Sequence, residues 1–234
     1  MPTINASKYG FMSNSAQGSG AFATARNAST ASGTAFNQPT GTQVTAQYNI
    51  GFSSKGDTAT LKRSWWAFDV TTYQSGYTIT DLQLQFDPTT NTSTNFPIIV
   101  LASTAQGNAN SNLTQSDWDA FDSGTTYTTT STNNYWPDTN SVSTLDLNST
   151  AISAFSTGYL KVCIQWVFDY NGIGSLVTAN GLAYQNYNYV PRITFSAAAS
   201  GWSGGTVNTV SDNIDNSINT IGYSNIEAVN TVSS

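Results

Sequence analysis

Three stretches of this chain keep a two-residue beat, and that beat dictates extended strands. In TATLKRSWWAFDV, the residues Trp66, Phe68 and Val70 fall on one side of an extended backbone. In GYTITDLQLQF, Leu82, Leu84 and Phe86 do the same, with Gln83 and Gln85 opposite. In YLKVCIQWVFDY the series is Leu160, Val162, Ile164, Trp166 and Phe168. Successive side chains of a strand alternate between faces, so each run predicts a strand with one face turned to a core.

The neighbouring segments extend the pattern. Val44, Ala46, Tyr48, Ile50 and Phe52 alternate with polar residues, and Ser-Ser-Lys-Gly-Asp follows as a turn. The two runs around that turn predict an antiparallel hairpin. NFPIIVLAST is apolar without alternation, which suits a central strand buried on both faces. YVPRITFSA closes the series near residue 197. One short helix is expected in LTQSDWDAF, where Thr114 and Asp117 stand at capping-box spacing and Leu113 and Trp118 at staple positions.

Composition agrees with strands. Charged residues make up 9% of the 234, against about 25% in an average soluble domain. Thr, Tyr, Phe and Trp favour pleated structure. The expected fold is therefore all-β: an antiparallel β-sandwich of jelly-roll type with a short helix and a repetitive C-terminal segment. The expected boundaries are an N-terminal arm or irregular strands over 1–43, the sandwich over 44–197, a hinge over 198–206 and the repeats over 207–234.

The C-terminal segment keeps a second, slower beat. Val207-Asn-Thr-Val210, Ile218-Asn-Thr-Ile221 and Val229-Asn-Thr-Val232 begin eleven residues apart. With Ile214, the apolar positions Val207, Val210, Ile214, Ile218, Ile221, Val229 and Val232 define one stripe. A period of eleven fits a helix in a right-handed supercoil, yet Asn, Thr, Ser and Val are poor helix formers. A series of short extended segments turning at each Asn-Thr is the other option. In either form a lone chain cannot bury a narrow stripe of Val and Ile, so the seven residues are expected to dock on a partner or to oligomerise.

Several function classes are disfavoured. The net charge is −6 and the seven Lys and Arg are scattered. Without a basic stripe, nucleic-acid binding is not expected. No apolar run approaches the roughly 18 residues of a membrane span, and MPTINASKYG lacks the basic start and apolar run of a signal peptide. There is no histidine, which removes Ser-His-Asp and Cys-His arrangements. Cys163 is expected to be an inert strand cysteine. Asp117, Asp119 and Asp122 form the one acidic cluster, read as helix-start electrostatics before a catalytic pair or a calcium site. No enzyme, cofactor or metal is expected.

RSWWAFDVTTYQSGYTITDLQLQF, LTQSDWDAF, STGYLKVCIQWVFDY and VPRITF together resemble DNRLRE-type β-sandwich domains, in which an R-x-x-x-x-F-D strand precedes an ITxxxLxL strand. Arg63 and Asp69 fall on that pattern and are expected to brace strand ends. The resemblance spans about residues 44–197 plus the terminal repeat, although Thr209, Thr220 and Thr231 stand where the family's repeat usually has Gly. Such domains with short V/I-N-G/T-V repeats occur in virion proteins of tailed phages. The resemblance implies a structural protein on the exterior of a bacteriophage particle, a head decoration or a head or tail fibre, with other capsid or tail proteins and further copies of itself as partners. The alternative is an adhesin or carbohydrate-binding module that uses exposed aromatics on a surface glycan: Trp65, Tyr135, Trp136, Tyr184, Tyr187 and Tyr189.

Overall fold

The computed structural model describes residues 1–33, 36–37, 43–53, 56–89, 96–106, 112–121, 124–128, 135–136, 141–172, 179–185 and 189–199, with side chains left out for part of these. All lie in the first of two units, Met1–Ser200. The fold class is all-β and antiparallel. The strands are β1 (Thr3–Gln17), β2 (Phe36–Asn37), β3 (Gln43–Ser53), β4 (Gly56–Asp69), β5 (Tyr77–Phe86) and β6 (Pro88–Thr89). They continue with β7 (Phe96–Ala102), β8 (Tyr135–Trp136), β9 (Ser143–Asp146), β10 (Tyr159–Trp166), β11 (Ala179–Gln185) and β12 (Arg192–Ala199). The helices are single turns or little more: α1 (Ala21–Arg26), α2 (Ser149–Ser153) and α3 (Val167–Asn171). No described helix is long and apolar enough to cross a membrane.

β4 is the spine. Its first half pairs with β3 as the expected hairpin, and its second half pairs with β10 on the same edge. Its other edge carries β1. β10 continues to β7, and β7 to β8. The far end of β1 leaves β4 and pairs with β12, which pairs with β5, which pairs with β9. The strands thus form a continuous curled ladder in which β1 joins two groups of strands.

Side-chain alternation on β4 and β10 creates two apolar layers. Trp66, Phe68, Val162, Ile164, Ile98 and Val100 meet Leu82, Leu84, Phe86, Ile193 and Phe195 in one cluster. Trp65, Ala67, Leu61, Cys163, Ile99 and Leu101 face the other way, under α1, Val167 of α3 and a cap of Leu113, Trp118 and Phe121. β7 is buried on both faces, as its unbroken apolar run predicts. β10 stops at Trp166 rather than running on, and Phe168 packs on the first cluster from within α3.

The N-terminal segment is more regular than expected. Of the arm or irregular strands expected over 1–43, residues 3–17 form one fifteen-residue strand. A bulge at Ser7 explains why the sequence hides it: Ala6 opposes Phe68 while Lys8 opposes Ala67. The extra residue flips the phase, so that Ile4 and Ala6 point to the first cluster and Met12 and Ala16 to the second. β5 carries a second bulge. Asp81 takes φ 51°, and both Asp81 and Leu82 oppose the single residue Phe195. Ile79 and Leu82 therefore both point inward although three apart.

The outward faces of β1, β12, β5 and β9 line up in rows. Thr3, Thr194, Gln83 and Asp146 form one row across the four strands. Asn5, Arg192, Gln85 and Thr144 form the next. Neighbours tie each row: Gln83 donates to Asp146 at 2.8 Å, and Arg192 donates to Gln85 at 2.7 Å.

Candidate functional site

The chemically richest part of the described unit is the buried polar cluster in the second layer. Arg63 projects from the middle of β4 and reaches Asp169 at the start of α3. Its Nε and Nη2 donate to the two carboxylate oxygens at 2.8 and 2.9 Å. The two side chains are 5% and 1% exposed, so this is a desolvated, bidentate pair. Such pairs are strong in geometry, and breaking one side leaves an uncompensated buried charge. The Arg63 guanidinium also lies over the Trp118 ring at 4.2 Å. Arg26 of α1 closes the arrangement from the surface, donating to the carbonyls of Asp169 and Tyr170 at 2.5 and 2.9 Å. β4 is thereby pinned to the Asp169 carboxylate, and α1 to the main chain of α3.

A second knot lies beside it. The Asp117 carboxylate accepts from the Thr114 backbone N–H at 2.7 Å and its hydroxyl at 3.0 Å, and also from the Gln106 side chain. The capping box is present as the spacing predicts, on a short 3₁₀ turn over Gln115–Asp117. Lys161, on the same face of β10 as Cys163, donates to the Ala105 carbonyl at 3.1 Å. Burial pushes its ammonium below the usual lysine range, and the nearby Asp117 charge partly offsets that.

The acidic cluster is divided by this geometry. Asp117 is buried and spent on backbone and amide donors, Asp119 is exposed, and Asp122 lies outside the described residues. Among the described residues no group of three or more His, Cys, Asp or Glu is placed to hold a metal ion. Cys163 is a buried cysteine packed in the second layer beside Trp65. Asp69 braces its strand end as expected, accepting from the Thr71 N–H and hydroxyl at 3.1 and 2.6 Å. Arg63 does not act at a strand end; it is the buried partner of Asp169. Nothing in the sequence signals a pair 106 positions apart.

Of the six aromatics expected to form an exposed platform, the structure describes the side chains of two, Trp65 and Tyr189. Trp65 is fully buried, a correction with a simple cause: the face opposite Trp66 is covered by α1 and the 113–121 segment rather than by water. Tyr135 and Trp136 form β8 against Phe96 and Pro97, and Tyr184 sits in β11, with the side chains of all three outside the described residues. Tyr187 lies outside them altogether. Tyr189 is half-buried with Arg192 across its ring at 5.3 Å; burial pushes its phenol up, and Arg192 partly counters that. The stripe of Val207, Val210, Ile214, Ile218, Ile221, Val229 and Val232 also lies outside the described residues.

No family model and no curated protein matches the chain at a significant level.

Proposed function

We propose that this protein is a non-enzymatic structural component of a tailed-phage particle, an exposed head decoration or fibre component held through its C-terminal repeats. The observation that carries this reading is the eleven-residue cadence after a β unit whose last strand ends at Ala199. Branched apolar residues in one narrow stripe need a surface to cover them. The buried polar groups of the β unit support the same reading, since Arg63, Asp169, Asp117 and Lys161 are engaged in holding segments together. The likeness to DNRLRE-type domains adds the particle context.

The test is attachment. The full chain should be present on purified particles in a fixed copy number by quantitative mass spectrometry. It should co-sediment with particles stripped of it, and Ile218→Asp with Ile221→Asp should abolish that. A chain missing from particles, or a variant that still binds, would refute the proposal. The second reading, an adhesin working through aromatic loops, retains one described aromatic in its favour, Tyr189 beside Arg192, and loses Trp65.

A further inference from the structure

We propose that Asn171 is a site of spontaneous deamidation, a covalent change that turns the end of α3 from a neutral amide into a carboxylate. The proposal does not depend on the particle reading. The chain has two Asn-Gly pairs, Asn171-Gly172 and Asn180-Gly181. In such a pair the glycine nitrogen can attack the preceding side-chain carbonyl, because glycine has no side chain to block the approach and turns freely. At α3 the bond that forms joins Gly172 N to Asn171 Cγ. The bond that breaks frees the Asn171 amide nitrogen, which takes up the proton lost from the Gly172 N–H and leaves as ammonia. Water then opens the cyclic imide at either carbonyl. One product is aspartate; the other is isoaspartate, in which the main chain runs through the former side chain. Water is the sole co-reactant, and nothing is oxidised or reduced.

The fold treats the two pairs differently. Asn171 is exposed and ends α3, and Gly172 follows as its cap with φ 69°. The Gly172 N–H is held by the carbonyls of Asp169 and Phe168, within a helix of five residues. So short a helix frays readily at its end. Each opening frees the Gly172 nitrogen and lets Asn171 rotate out of the helical range toward it. The Arg26 guanidinium lies beside the same glycine, its Cζ 3.8 Å from the point a Cβ would occupy. A cation there favours the deprotonated amide nitrogen that makes the attack. Asn180 and Gly181 instead oppose Asn49 and Tyr48 inside the ladder of β11 with β3, which fixes their main chain. The change at Asn171 falls on the contact between α1 and α3. Arg26 donates to the carbonyls of Asp169 and Tyr170, so isoaspartate lengthens the main chain between Tyr170 and Gly172, the two residues on either side that meet this guanidinium.

The experiment incubates the full-length protein for weeks in mildly alkaline buffer, one sample folded and a parallel one unfolded in guanidinium chloride. Peptide mapping by mass spectrometry then follows both asparagines, with isoaspartate resolved by chromatography. In the folded sample Asn171 should convert at least about tenfold faster than Asn180, because a fraying helix end opens far more often than a paired strand. In the unfolded sample the two rates should agree within about threefold, since the chain no longer holds either pair in one conformation. Hydroxylamine, which cleaves the chain at the cyclic imide, should cut the folded protein after Asn171 and leave the bond after Asn180 whole. The proposal is overturned if Asn171 stays an amide in the folded protein, or if Asn180 converts as fast. It is overturned equally if Asn171 leads by tenfold in the unfolded sample too, since flanking sequence and not the fold would then set the difference. Attachment to particles is read separately and can fail or hold independently.

Discussion

Asp169→Asn tests the buried pair most directly. The substitution keeps the shape of the side chain and removes its charge, leaving the Arg63 guanidinium desolvated between α3 and Trp118. Both partners are at most 5% exposed, so solvent screening does little to soften the loss. Removing one member of such a pair costs about 3–5 kcal/mol, against a total of about 5–15 kcal/mol for a domain. With urea m-values of about 1–3 kcal/mol per molar, a loss of 3 kcal/mol lowers the unfolding midpoint by about 1–3 M. Arg63→Met in the Asp169→Asn background removes the stranded charge and keeps an apolar stem against Trp118. It should recover much of the loss and give a coupling of about 2 kcal/mol or more in a double-mutant cycle. A midpoint drop under about 0.3 M for Asp169→Asn, or a double variant no more stable than the single, would refute this account of the cluster.

Other substitutions probe the layers around it. Trp65→Ala should cost about 3–5 kcal/mol by urea unfolding, because the ring is fully buried in the second layer; a cost under about 1 kcal/mol would return Trp65 to the surface. Asp117→Asn should lower stability by about 1–3 kcal/mol, since its carboxylate accepts from Thr114 and Gln106. Lys161 has its pKa held below 10.5 by burial, as does Lys62. Between the folded and unfolded values the unfolded chain holds more protons, so stability should rise with pH as it approaches 10.5. Lys161→Met should flatten that rise below pH 10.5, while buried Tyr127, with its pKa pushed above 10.0, opposes it at the upper end. An unchanged slope in the urea midpoint against pH would count against a buried ammonium.

The parts of the fold that were legible obey a local rule. β5, β7 and β10 announce themselves because their apolar periodicity is unbroken over most of their length, and the capping box because its two residues are three apart. β1 was hidden because one bulge residue, Ser7, splits its alternation into two short phases. Trp65 was misplaced because alternation fixes only that it opposes Trp66, not what covers that side. The cover comes from α1 and from the loop segment of Leu113, Trp118 and Phe121, whose positions depend on long-range docking. The Arg63–Asp169 pair has the same origin: each residue is unremarkable in its own window, and only the return of β10 beside β4 brings α3 over the spine. The rows on the outward face were half legible, since Gln83 and Gln85 were assigned outward, but their partners on β1, β9 and β12 required the register.

The bulge at Asp81 leads to a deletion prediction that runs against intuition. Removing a residue from the middle of a paired strand normally turns every following side chain to the wrong face. Here Asp81 is itself the surplus residue: Thr80 opposes Ser196, Gln83 opposes Thr194, and two residues of β5 share the single opposing position of Phe195. Without Asp81, Leu82 alone would oppose Phe195, and Ile79, Leu82, Leu84 and Phe86 would follow one another at regular two-residue spacing. The deleted side chain is exposed and accepts one exposed hydrogen bond from Thr80, and its left-handed φ of 51° would be relieved. Deleting Asp81 should therefore cost no more than about 1 kcal/mol. Deleting Gln83, two positions on, would set Leu82 against Leu84 in the alternation and turn either Leu82 or the Leu84–Phe86 pair out of the core. At about 2–5 kcal/mol for each large side chain lost, that variant should fail to fold cooperatively. Comparable urea midpoints for the two deletions would mean that the pairing of β5 with β12 is not the constraint its register implies.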